Sequence, residues 1–376
     1  MSVPFLYSAD LLAYDMGPQH PLRPERTGET LQLLTDFGVT AGHLQVIAPK
    51  EAAEAVIRSL HAPDYVDAVQ RAGEGRGSSS LHQFGLGTGD NPTFHGMYEA
   101  SALCCGASAD AAQAVVGGAD LAFSFAGGLH HAHYGHAAGF CVFNDPASAI
   151  NVLKQRFERV AYVDIDVHHG DGVQELFYDR ADVLTLSIHQ NGRTLFPGTG
   201  FVAEAGEGAG LGFSVNLPIA PFTGDRVWLD VWWRVAMPVL QAFRPEAIVL
   251  QLGADAHRDD PLANLMLTTR GWLQAVTDVR NLGVPIVALG GGGYNRNTVP
   301  RMWTLAVAEL LRVELPDAVP AASPLQRRMP YLHDAAETDR AQVGDERTSE
   351  QTERAAEQVI TEIRTRIFPW HGLPAE

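Results

Sequence analysis

The sequence predicts an α/β fold built on a mainly parallel sheet, and three observations carry that expectation. Six short apolar runs show no polar alternation, as strands buried on both faces do. Helix-like stretches lie between several of them, the order expected of strand–helix–strand units. The polar clusters of the chain follow directly after the apolar runs, where open α/β sheets collect their binding sites.

The runs are Leu121 to Phe125, Val160 to Val163, Val183 to Ile188, Phe213 to Leu217, Ala247 to Leu252 and Pro285 to Leu289. Their β-branched content favours strand over short helix. Helices are expected over Asp145 to Phe157, over the tryptophan-bearing Gly224 to Phe243, and over Thr268 to Leu282. The charged tail from about Thr338 to Ile367 is expected to form a surface helix with fraying ends and no chemistry. No low-complexity linker or internal repeat divides the 376 residues, so one domain spanning 1–376 is expected.

Composition excludes several function classes. The formal charge of −17, with Lys50 and Lys154 as the only lysines and no basic run, argues against nucleic acid and against anionic membranes. No run reaches the ~18 apolar residues of a membrane span. The N-terminal MSVPFLYSADLLAYDMG lacks the basic start and small-residue cleavage pattern of a signal peptide. Cys104, Cys105 and Cys141 have no framework spacing, which points to a reducing compartment, the cytoplasm.

The chemistry is concentrated after four of the runs. YVDIDVHHGDG crowds three aspartates and two histidines into Asp164 to Asp171. Such buried charge is costly unless it is paired or coordinated. If the strand persists, Asp164, Asp166 and His168 share one face. Carboxylates and imidazole together suit a divalent ion of borderline softness. Asp166 and His168 supply two ligands, and Asp255, at the end of IVLQLGAD, is the best-placed third. GGLHHAHYGH, Gly127 to His136, offers His130 and His131 as base and electrostatic stabiliser, with Asp164 and Asp171 to orient them. His133 and His136 are read as ordinary surface or core residues, with surface metal binding as the alternative. The Gly290–Gly293 run lacks a phosphate-loop lysine and reads as a flexible turn presenting Tyr294, a phenol that can donate to a developing oxyanion.

Taken together, HPLRPER (His20 to Arg26), GTGDNP, GGLHHA, GFCVFND, YVDIDVHHGDGVQELFY, SIHQ, FPGTG, QLGADAHRDDPL and GGGGYNRNTVPRMW resemble the zinc-dependent histone deacetylases of the arginase/deacetylase superfamily. The resemblance spans roughly residues 5 to 315 and is most like the bacterial branch named after acetoin utilisation, which is similar to the class I enzymes. It implies a single-domain α/β fold with a central, mostly parallel eight-stranded sheet, and removal of acetyl from the ε-nitrogen of lysine.

Residue by residue, the resemblance implies Asp166, His168 and Asp255 as ligands of Zn2+, with Fe2+ an alternative in the cell. His131 would be the base that activates the attacking water, oriented by Asp171. His130, oriented by Asp164, would assist in a protonated state, and Tyr294 would polarise the acetyl carbonyl. Phe140 and Phe196, with Gly139 and with Leu262 at the rim, would wall a tunnel for the lysine stem. Asp90 would accept backbone N–H bonds of the substrate. Arg26 and Cys141 would line an inner cavity. A K+ site would use backbone oxygens of Asp164, Asp166 and His168 with Ser187 and Ile188, and a second would use Phe177, Arg180 and Val183.

The resemblance further implies an acetyl-lysine protein or peptide as the partner, an acetylated acyl-CoA synthetase among the candidates. Three rivals stand beside this reading. An acetylpolyamine amidohydrolase would share the catalytic residues, although no long insertion precedes HHAHYG and Asp90 favours a peptide. A manganese ureohydrolase needs a two-metal ligand set. A non-catalytic acetyl-lysine binder would have no use for the full set of ligands, bases and tyrosine.

Overall fold

The structure is a computed structural model that describes residues 2–76, 79–334 and 346–375. Eight strands form one sheet: β1 (Val3–Leu6), β2 (Leu44–Ile47), β3 (Leu121–Ser124), β4 (Val160–Asp164), β5 (Val183–Gln190), β6 (Ser214–Ile219), β7 (Ala247–Gln251) and β8 (Ile286–Leu289). Their order is β2-β1-β3-β8-β7-β4-β5-β6, and every pairing is parallel. The six expected strands are all present. The expectation missed β1 and β2, which are four residues each and lie at one side of the sheet. β1 carries Pro4, a residue that argues against strand, and β2 exposes Gln45 and Val46.

The strand order decides where the site forms. β3 and β4 are consecutive in sequence, but β8 and β7 are inserted between them. The loops leaving β3, β8, β7 and β4 therefore emerge side by side. They carry GGLHHAHYGH, GGGGY, GADAHRDD and IDVHHGD, so the four clusters share one crevice. Beneath it, Val160–Asp164 and Ala247–Gln251 are wholly buried on both faces, which accounts for their lack of alternation.

The helices depart from expectation in two places. The predicted helix Gly224 to Phe243 is Asp225–Val231, a π-helical turn Trp232–Ala236, and Met237–Phe243. Pro238 has no N–H to give to the turn before it and would clash with the carbonyl four residues back, and the wider turn absorbs both problems. The charged tail forms a helix over Glu346–Arg366, while 338–345 lie outside the described residues. It is not merely a surface element. Ala356, Ile360, Ile363 and Ile367 make a buried stripe that continues into Phe368 and joins the main core beside β6, the last strand of the sheet. Glu353 and Glu357 on its outer side pair with Arg226 and Arg234. Thus a helix read as polar is an amphipathic layer covering a sheet edge.

Candidate active site

β4 ends at Asp164, and the strand does not continue through Asp166 and His168. What brings the three residues together is a chain of side-chain-to-backbone bonds. Asp164 Oδ1 accepts the N–H of Asp166 at 3.0 Å, and Asp166 Oδ1 accepts the N–H of His168 at 2.9 Å. Short carboxylates often bond the backbone two residues on, and here two such turns in series replace the pleat.

Asp166, His168 and Asp255 each offer an atom within 4.8 Å of the others, and all three are buried. His168 Nδ1 lies 3.2 Å from Asp166 Oδ1 and 3.1 Å from Asp255 Oδ2. The outer oxygens are also held: Gly292 N–H donates to Asp166 Oδ2 at 2.6 Å, and Val167 N–H donates to Asp255 Oδ1 at 3.0 Å. Burial opposes a proton on His168, but the bonds and attraction of the two aspartates outweigh it and push it up to about 10. Burial also opposes the Asp166 charge, yet the attraction of His130 and the His168 bonds hold its carboxyl far below the usual range. Burial and the Asp166 charge push the Asp255 carboxyl up. Two carboxylates and a ring nitrogen thus converge where a proton alone neutralises them, a donor set that fits a divalent cation.

The glycine run explains how the loops come so close. It is buried and tightly packed rather than flexible. A Cβ on Gly292 would lie 1.8 Å from Asp255 Oδ2, and one on Gly291, at φ +139°, would meet the backbone of Gly253. The same run presents Tyr294, whose N–H donates to Asp260 Oδ2 at 2.7 Å. Burial, then the charges of Asp255 and Asp166, raise the phenol well above its ordinary pKa, so it keeps its proton as a donor.

His130 and His131 face each other through Nε2 atoms 3.1 Å apart, so one ring must donate and the other accept. Their Nδ1 atoms are held by Asp164 Oδ2 at 2.8 Å and Asp171 Oδ1 at 2.7 Å. Burial disfavours a charge on either ring. At His130 the attraction of Asp164 and Asp166 overcomes it and raises the ring to about 9. At His131 burial and the neighbouring His130 charge prevail and lower it to about 4. The pair is therefore one imidazolium and one neutral imidazole.

Phe140 and Phe196 flank this centre. The Phe140 ring is edge-on to Tyr294 at 5.6 Å, and the Phe196 ring is edge-on to His131 at 5.0 Å. Phe196 and Leu262 are exposed, and Gly139 lies between His131 and Phe196. The exposed Asp90 is tied to this wall through its carbonyl, which faces His20 Nε2 at 3.2 Å, while the His20 ring packs edge-on against Phe140. Arg26 is buried under the site, donates to Gly293 O at 2.9 Å and borders two small cavities. Cys141 is buried but lines neither; Tyr14 and Cys104 do line one, although no motif marks them as cavity residues.

At the suggested cation positions, Asp164 and Ser187 are register partners across β4 and β5, followed by Ile188. Phe177 O accepts the N–H of Arg180, whose side chain turns to Asp182, and Val183 opens β5. Supporting residues also went unnoticed in the sequence. Tyr162 Oη donates to Asp164 Oδ2 at 2.8 Å, Asp145 accepts the N–H groups of Gly128 and Leu129, and Asp260 accepts those of Tyr294 and Leu262. Asp145 and Asp260 stand inside motifs already quoted, but single carboxylates bonding loop N–H groups leave no spacing signal.

Comparison with known proteins decides the family. Residues 20–310 match the histone deacetylase domain. The chain belongs to the histone deacetylase family. It is 39% identical over 325 residues to the acetoin utilization protein AcuC of Bacillus subtilis, covering 84% of each chain. It is 37% identical to histone deacetylase clr6 of Schizosaccharomyces pombe, covering 86% of this chain and 80% of that one. A crystal structure of a histone deacetylase homologue complexed with SAHA superimposes with a TM-score of 0.85 at 29% identity, over 96% of this chain and all of that one. The fold is accordingly the deacetylase one, and deacetylase activity follows from family membership. No helix among the described residues is long and apolar enough to cross a membrane.

Proposed function

We propose that the protein is a metal-dependent hydrolase that removes acetyl groups from the ε-amino group of lysine in proteins or peptides, in the cytoplasm. The observation that carries this reading is the buried Asp166–His168–Asp255 group facing the His130–His131 pair and Tyr294. Asp166, His168 and Asp255 would hold Zn2+, or Fe2+ in the cell, with K+ held nearby on the carbonyls around Asp164, Ser187 and Ile188. A divalent ion held there would polarise the amide carbonyl and acidify water.

The residues of the chain then divide the work. Phe140 and Phe196 sandwich the methylene stem and exclude solvent. Asp90 receives backbone N–H groups of the peptide. The Tyr294 phenol, kept protonated by its surroundings, donates to the carbonyl oxygen as negative charge develops. His131, neutral and oriented through Nδ1 by Asp171, accepts the proton of the attacking water at Nε2, whose lone pair turns from the His130 N–H to the water. His130, charged and held by Asp164, stabilises the anionic tetrahedral state. His131 then passes its proton to the departing lysine nitrogen, and acetate leaves.

Acetate release from an acetyl-lysine peptide tests the proposal, comparing metal-stripped, zinc-restored and Tyr294→Phe protein, with an acetylpolyamine in parallel. The expected result is zinc-dependent peptide turnover that falls about 100-fold or more in Tyr294→Phe, as loss of one oxyanion donor does. Turnover of the polyamine alone would transfer the site to small amines, and no turnover of either by metal-loaded protein would overturn the proposal.

A further inference from the structure

Asp171 is bonded by two imidazoles, one on each oxygen. Oδ1 meets His131 Nδ1 at 2.7 Å, and Oδ2 meets His133 Nε2 at 3.1 Å. The far nitrogen of His133 meets Glu175 Oε2 at 2.8 Å, an oxygen that also accepts the N–H of Tyr134 at 3.0 Å. His136 lies flat on the His133 ring, with centroids 4.3 Å apart and planes 7° apart. An ionised carboxylate only accepts, so with one at each nitrogen both must donate and the ring is an imidazolium. Burial opposes that charge, but the bonds to Asp171 and Glu175 outweigh it and raise His133 to about 9. The polar groups facing the ring are thus Asp171, Glu175 and His136, and an open cleft of about 370 Å³ lies on this outer side of Asp171.

His133 is therefore not an ordinary surface histidine. A carboxylate bonded through one oxygen can rotate about its own axis. A charged donor on the second oxygen fixes its plane and keeps water from that position. We infer that His133 is a positioning residue for His131: clamped by Glu175 and stacked on His136, it fixes the Asp171 carboxylate and so the direction of the His131 ring. This inference rests on the proposed role of His131 as the base.

The test uses the full chain loaded with zinc, as wild type, His133→Phe and His133→Gln. Phenylalanine keeps a ring against His136 and excludes water but has no N–H; glutamine restores a donor toward Asp171. The expected result is a kcat about 10-fold lower in His133→Phe, in the range lost when an outer hydrogen-bond partner is removed, with KM within twofold. His133→Gln is expected to recover to within about threefold of wild type. The second readout is the low-field proton NMR signal of His131 Nδ1–H in metal-free protein, assigned by its loss in Asp171→Asn. It is expected to persist in His133→Gln and to shift or vanish in His133→Phe. Because this signal needs no turnover, it decides the role of His133 even if the wild type fails to hydrolyse the peptide, an outcome that counts against the proposed function alone. Unchanged kcat and signal in His133→Phe, or equal losses in both variants, would overturn the inference. Should His133→Phe not fold, His133→Ala takes its place in both measurements with the same expectations.

Discussion

Gly292→Ala should weaken metal binding sharply without replacing a proposed ligand. The new Cβ would lie 1.8 Å from Asp255 Oδ2 and 2.9 Å from Asp166 Oδ2, whereas real Cβ atoms essentially never come within 3.0 Å of a neighbour. The Asp255 carboxylate must therefore retreat by about 1.2 Å, or the loop must back away and withdraw the N–H that Gly292 gives to Asp166. Metal sites tolerate ligand displacements of only ~0.2 Å. A loss of at least ~100-fold in affinity is expected, equivalent to about 2.7 kcal/mol. The assay is calorimetric titration of metal-stripped protein with zinc at pH 7.5, beside the thermal midpoint of each variant. Gly135→Ala serves as control, because nothing lies within 4 Å of its added methyl. Zinc affinity within threefold of wild type in Gly292→Ala would refute the argument that this backbone approach shapes the donor set.

The other predictions concern the wall, the pH response and the tail. In Gly139→Ala the methyl would lie 2.4 Å from His131 Cδ2 and 2.8 Å from Phe196 Cε1, at φ +50°. Displacing the ring of the proposed base by ~1 Å should lower kcat about 100-fold while zinc binding is retained, as steady-state kinetics and the same titration would show. His61 is buried and neutral, with Nδ1 at 2.8 Å from His133 O and Nε2 accepting Asn144 N–H at 3.0 Å; burial lowers it to about 4. Since its folded pKa lies below its unfolded value, the unfolded chain takes up the proton first as pH falls. His61 should thus cost about 3 kcal/mol of stability between pH 6.5 and pH 4, a slope that urea unfolding should find flattened in His61→Gln. Ile363 is fully buried, so Ile363→Ala should destabilise the fold by roughly 2–5 kcal/mol and leave zinc affinity unchanged. A merely surface helix would lose no more than about 0.5 kcal/mol, and the same unfolding curves distinguish the two.

How much of this was legible depends on how local the cause is. The strands β3 to β8 announce themselves because burial on both faces demands mostly apolar residues, and β1 and β2 escaped because they are short and interrupted by proline or exposed positions. The stripe Ala356, Ile360, Ile363, Ile367 was present in the tail, but its charged neighbours masked it until β6 was seen to need a cover. The break at Trp232–Ala236 was likewise foreshadowed by Pro238.

Within the site, the residue types were enough to single out Asp166, His168, Asp255, the paired histidines and Tyr294 as candidates, since so many ionisable groups after buried strands are costly unless paired or coordinated, and the fold brings these six together. Residue types and apolar runs were thus readable along the chain, together with six of the eight strands. Their arrangement in space was not. The insertion of β8 and β7 between β3 and β4 made neighbours of four distant loops. The glycines after β8 allowed backbone to approach carboxylates more closely than any side chain permits. Burial, the charges of Asp164 and Asp166, and the repulsion between the two rings gave adjacent histidines opposite charge states. His133 acquired its partners in the same way, because hydrogen bonds depend on distances across the fold that no spacing along one strand can encode.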